Sequence, residues 1–122
     1  MKLRFDHQSI RLRVRKSDVE TLSRTGFIEE TILFPQGKLS YRLEIDATTQ
    51  AVSTEMLQDT ITVKIPKNQA LSWINTEEVG IYATIPSFVP KILLEILIEK
   101  DFPCKHGSTA DNADSFEELS KS

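Results

Sequence analysis

The chain carries one structural phrase twice. Ile10-Arg11-Leu12-Arg13-Val14 alternates apolar and polar residues, and a short helical segment follows from Ser17. Ile61-Thr62-Val63-Lys64-Ile65 alternates in the same phase, and a second short helical segment follows from Pro66. A period of two sends successive side chains to opposite faces of a strand, so both runs read as half-buried strands. Each copy then continues into two further strand-like runs. Repetition of a whole supersecondary unit restricts the fold to pseudo-symmetric arrangements. The match is one of element order and hydrophobic phase. Lys16 falls on Lys67 and Ile10 on Ile61 at one common offset, whereas the register beyond the helices is ambiguous by a few residues.

In the first copy, Lys2 to Phe5 and Ser9 to Val14 form a hairpin around Asp6-His7-Gln8. Leu3, Phe5, Ile10, Leu12 and Val14 face the core, and Arg4, Arg11 and Arg13 face the other way. Ser17-Asp18-Val19-Glu20 fits a capping box, with Ser17 and Glu20 exchanging side-chain and backbone bonds. Gly26 is a helix stop. Strands over Phe27 to Phe34 and Leu39 to Ile45 follow, joined by Pro35-Gln36-Gly37. In the second copy, Ala51 to Leu57 and Thr60 to Ile65 form the hairpin. Pro66 opens the helix, Ala70, Leu71 and Ile74 make its apolar stripe, and Trp73 is expected to cover the core. Val79 to Ile85 and Lys91 to Ile98 close the copy.

These elements predict one α+β domain over residues 1–104. Two ββαββ pseudo-repeats, 2–46 and 51–98, build a mostly antiparallel curved sheet or small barrel with two short helices at its openings. Residues 105–122 are polar and acidic, a composition that predicts a disordered tail.

Charge and cysteine usage narrow the function classes. A net charge of −3 and a pI near 5.4 argue against a general nucleic-acid binder, which needs a dense positive face, but leave room for a local basic patch. A single cysteine excludes an intramolecular disulfide and points to a reducing, cytoplasmic compartment. No secretory leader is expected behind Met1-Lys2-Leu3-Arg4-Phe5, and the apolar stretch Ile92 to Ile98 is too short to span a bilayer. There is no phosphate loop, dinucleotide turn, zinc helix or nucleophile elbow, so no cofactor is implied.

Two resemblances add to this. Lys2-Leu3-Arg4, Ser9-Ile10-Arg11-Leu12-Arg13, Ser17-Asp18-Val19 and Glu99-Lys100-Asp101-Phe102-Pro103-Cys104 together resemble a family of short bacterial proteins of unknown function, over nearly the whole chain. That resemblance implies no activity. Ile61-Thr62-Val63-Lys64-Ile65-Pro66-Lys67, a short helix and Val79-Gly80-Ile81 resemble the strand–helix–strand unit of swapped-hairpin transition-state regulators and antitoxins. This second resemblance implies dimers that bind DNA through a basic barrel surface, with one duplicated chain standing in for the dimer. The glycine–acid pair usual after that unit's helix stands here in disturbed order, as Glu77-Glu78-Val79-Gly80.

Two groups of residues are candidate sites. Arg4, Arg11, Arg13 and Arg15, with Lys2 and Lys16 nearby, form a ladder suited to phosphate or carboxylate, which guanidinium forks bind bidentately. The plain alternative is a solvated face neutralised by Glu44, Glu95 or Glu99 on neighbouring strands. Cys104 and His106 form a Cys-x-His pair, read as metal ligands or as a thiolate beside an imidazole. Glu99, Asp101 and His7 join it only if the strands bring them close. The alternative is a chance pair at the edge of a polar tail. The expected function is a small cytosolic binding or regulatory module for an anionic small molecule or a protein partner. A DNA-binding regulator is the second class, and an enzyme built on Cys104 the third. The hairpin arginines, rather than Cys104, are expected to carry the contact, because they sit on a strand anchored by Ile10, Leu12 and Val14.

Overall fold

A computed structural model of the chain describes residues 1–101. Its elements run β1 (Lys2–Asp6), β2 (Ser9–Val14), α1 (Lys16–Thr25), β3 (Phe27–Phe34), β4 (Gly37–Asp46), β5 (Ser53–Leu57), β6 (Thr60–Pro66), α2 (Lys67–Asn75), β7 (Gly80–Pro86) and β8 (Leu93–Lys100). The ββαββ order therefore occurs twice. The expected tail over 105–122 lies outside the described residues, as do Cys104 and His106.

The strands form two four-stranded sheets, ordered β1-β2-β8-β7 and β3-β4-β6-β5. They do not close into a barrel; the open-sheet form of the expectation holds. Each sheet takes one hairpin from each repeat. Within a hairpin the strands are antiparallel, and the two hairpins meet through a parallel central pair, β2 with β8 and β4 with β6. α1 carries the chain from the first sheet to the second, and α2 carries it back. The repeats are interleaved, so neither can complete a sheet without the other.

The pseudo-symmetry extends to individual bonds. The Glu95 amide donates to the Gln8 carbonyl at 3.0 Å, and the Ser40 amide to the Asp59 carbonyl at 2.7 Å. Lys100 donates to Val79 at 2.9 Å, as Ile45 does to Gly26 at 2.8 Å. The hairpin turns match as well: His7 and Gln58 hold φ values of 54° and 51°. The ambiguous register has a simple cause. α1 connects to β3 through Gly26 alone, whereas Thr76 to Val79 separate α2 from β7, and β7–β8 has a longer turn than β3–β4.

Local chemistry sets the helix limits. The capping box of α1 sits two residues before the expected one. Arg15 leaves β2 in extended conformation, so the third helical residue is Asp18, and its Oδ2 accepts the Arg15 amide at 2.9 Å. Asp18 thus takes the role expected of Glu20. Gly26 ends α1 with φ of 88°, and its amide donates to the Leu22 carbonyl at 2.8 Å; a side chain there would strain the left-handed backbone. Pro66 caps α2 while closing β6.

The core lies between the inner faces of the sheets and the two helices. Leu12, Val14, Leu43, Ile65, Ile96 and Ile98 are fully buried, as are Leu22 of α1 and Trp73 of α2 at equivalent positions. The indole of Trp73 donates to the Val79 carbonyl at 3.2 Å, so its polar edge is satisfied. Leu71, expected in the α2 stripe, stays on the exposed side. Lys100 is also buried: its ammonium donates to the Thr76 carbonyl at 2.8 Å and lies 5.9 Å from the centre of the Trp73 ring.

Candidate functional site

β2 points Ile10, Leu12 and Val14 into the core, so Arg11 and Arg13 must emerge on the outer face of the first sheet. The antiparallel register brings β1 alongside. Arg4 sits directly opposite Arg11, and Lys2 directly opposite Arg13. Two like-charged cross-strand pairs therefore occupy one hairpin, an arrangement that costs a few tenths to about 1 kcal/mol per pair. The four side chains line a shallow depression of about 170 Å³. A smaller one of about 70 Å³ adjoins it, lined by Arg4, Asp6, Ser9 and Arg11.

The cations are not equally engaged. Arg11 Nε lies 3.1 Å from Glu99 Oε1, and Glu99 Oε2 accepts the Tyr82 hydroxyl at 2.9 Å. The two facing atoms of Arg11 and Glu99 are buried and not aligned as a hydrogen bond, so their attraction is electrostatic. Burial, reinforced by Glu99, raises the Tyr82 pKa. Lys2 Nζ lies 3.4 Å from Asp101 Oδ2. Arg4 and Arg13 form no ion pair among the described residues. Arg15 stands apart from the ladder, at the start of α1. Of the neutralising residues proposed from sequence, Glu99 has that role. Glu44 belongs to the other sheet, where it pairs with Arg42 at 2.8 Å.

The second repeat supplies an internal control. Its hairpin has the same geometry, and Lys2, Arg4, Arg11 and Arg13 correspond to Ser53, Glu55, Thr62 and Lys64. There Lys64 meets Glu55 at 3.2 Å, and that bond raises the Lys64 pKa. On the neighbouring strand Arg42 pairs with Glu44 and stacks 3.7 Å from the centre of the Phe27 ring. This face is self-neutralised. The cationic excess belongs to the first hairpin and is no requirement of the hairpin fold.

His7 Nε2 lies 3.7 Å from Asp6 Oδ1. It sits in the β1–β2 turn with its side chain 97% exposed. Among the described residues no group of three or more His, Cys, Asp or Glu side chains is placed to hold a metal. Two larger depressions exist, of about 480 Å³ beside Pro66 to Gln69 and about 370 Å³ beside Phe34 to Leu39. Each includes a single lysine, so neither gathers positive charge as the hairpin face does. Sequence reasoning missed the Glu99–Tyr82 brace, because it depends on β7, β8 and β2 being neighbours.

Residues 1–120 match the model of a family of unknown function, DUF7009. The chain belongs to that family. It has no significant match among curated proteins or among solved structures. No helix of the described residues is long and apolar enough to cross a membrane.

Proposed function

We propose that this DUF7009 chain is a binding module whose contact surface is the outer face of the β1–β2 hairpin, and that its partner presents an acidic protein segment there. One observation carries the reading: two cation–cation cross-strand pairs occur in the first hairpin and none in its structural twin. Since both hairpins do the same structural work, the extra charge serves something other than folding. The shape supports a surface contact. Depressions of about 170 and 70 Å³ fall below the roughly 300 Å³ at which pockets enclose a small molecule. Arg11 is the fixed member, held by Glu99, while Arg4 and Arg13 are the members available to carboxylates.

A labelled ten-residue glutamate peptide tests this at low ionic strength. Arg4→Ser combined with Arg13→Ser should weaken its binding about fivefold to tenfold. Lys38→Ser combined with Lys67→Ser, a charge-matched change elsewhere, should leave it nearly unaltered. Equal weakening by both pairs would reduce the effect to net charge and end the proposal. Tighter binding of a mixed-sequence DNA duplex, with steep salt dependence, would replace it with the nucleic-acid reading.

A further inference from the structure

The outer face of the first sheet is more than its cations. On β7 and β8 the same face presents Tyr82 and Leu93, each about half exposed, Leu97 between them and Arg11, and the acids Glu95 and Glu99, of which Glu99 is already paired with Arg11. It therefore suits a segment that mixes carboxylates with a few apolar side chains. The chain contains one: Asp114-Ser115-Phe116-Glu117-Glu118-Leu119 has three acids, no base and two large apolar residues three positions apart. We propose that this segment of the same chain occupies the face, so that an outside partner must displace it.

The exit of the chain supports this occupant. Asp101, the last described residue, donates its amide to the Val14 carbonyl at 2.8 Å, and its carboxylate lies 3.4 Å from Lys2 Nζ. The chain thus leaves the sheet at the edge of the cationic face. Extended backbone covers about 3.3 Å per residue, so the stretch from Asp101 to Asp114 reaches up to about 40 Å, twice the roughly 20 Å length of a six-residue strand. A tethered segment of this length acts at a local concentration in the millimolar range, enough to fill a weak electrostatic site.

The inference rests on the reading of the face given above, and the test separates the two. In the full chain, Asp114→Asn, Glu117→Gln and Glu118→Gln together should tighten binding of the labelled glutamate peptide about threefold to tenfold. The gain should vanish when Arg4→Ser and Arg13→Ser are added. A charge-matched variant, Glu20→Gln with Asp59→Asn and Glu77→Gln, should show little gain. Equal affinity of the parent and the tail variant, with arginine dependence intact, would overturn self-occupancy and leave the binding face standing. Absence of arginine-dependent binding in every protein would overturn both. A gain that depends on protein concentration would assign the segment to a neighbouring copy and overturn occupancy in cis.

Discussion

The Tyr41 hydroxyl donates a 2.6 Å hydrogen bond to Oε2 of Glu30, its direct cross-strand partner between β4 and β3. Oε1 of the same carboxylate lies 3.1 Å from the Met1 amino nitrogen, which is 2.8 Å from Asp18 Oδ2. One small polar cluster thus ties the start of β1, helix α1 and the second sheet together. Burial, then the bond to Glu30 and its charge, push the Tyr41 pKa up to about 12.

That shift fixes a pH dependence. A tyrosine whose pKa is raised by folding contributes stability that is fully present below pH 10 and is lost as the pH rises toward 12. The loss amounts to something on the order of 2 kcal/mol. Urea unfolding of Tyr41→Phe across this window should give a flatter decline than the parent, while the variant loses about 1 kcal/mol near neutrality. Lysines titrate in the same range in both proteins, so the difference between the curves isolates Tyr41. Parallel curves would show that the hydroxyl is not held protonated.

Asp18 serves two partners, the Arg15 amide at 2.9 Å and the Met1 amine at 2.8 Å. Asp18→Asn keeps an oxygen for the amide and removes the charge facing the amine. The expected loss is about 1–2 kcal/mol, because Glu30 remains as a second carboxylate. Asp18→Ala also removes the helix cap and should lose about 1 kcal/mol more. Equal losses in the two variants, read from urea midpoints, would mean that the cap contributes nothing, and a parent-like midpoint for Asp18→Asn would mean the same of the amine contact.

Most of this architecture was legible because strand alternation is a local property. Ile10 to Val14 and Ile61 to Ile65 announced both hairpins, and Gly26 announced the end of α1 at a position where φ is 88°. What the alternation could not carry was the partnering of strands. A parallel contact such as Arg13 with Glu99 joins residues at opposite ends of the described chain, and no turn between them records it. For that reason Glu99 was legible only as one of three acids able to neutralise the ladder, and Arg11 was not singled out as the arginine it claims. The same limit hid Lys100, whose burial depends on Trp73 of α2 and on the carbonyl of Thr76 at the end of that helix. The helix start was missed by a smaller margin. Ser17 and Glu20 satisfy the capping pattern, but the strand ends at Val14 and hands the cap to Arg15.

Interleaving predicts that the repeats fold as one unit. Leu22 and Trp73 occupy equivalent helical positions and are both fully buried. Leu22→Ala should cost about 2–5 kcal/mol and Trp73→Ala about 3–5 kcal/mol. In both variants unfolding should remain a single transition with an unchanged denaturant slope, because each sheet contains strands from both repeats. A second transition in either variant would show that one repeat survives without the other.

The hairpin cations should separate by their effect on stability. Arg4 faces Arg11 across the hairpin and has no ion pair among the described residues, so Arg4→Ser removes repulsion and little else. Its stability should stay within about 0.5 kcal/mol of the parent or rise slightly, and the same holds for Arg13→Ser opposite Lys2. Arg11→Ser differs, because Glu99 is only 16% exposed and would keep the Tyr82 hydroxyl as its remaining close partner. Leaving that carboxylate short of a counter-charge should cost about 1–3 kcal/mol. Removing the acid as well, in Arg11→Ser with Glu99→Gln, should recover most of the loss. If Arg4→Ser proved as damaging as Arg11→Ser, the outer-face cations would be structural, and the case for a binding surface built on Arg4 and Arg13 would fall with that result.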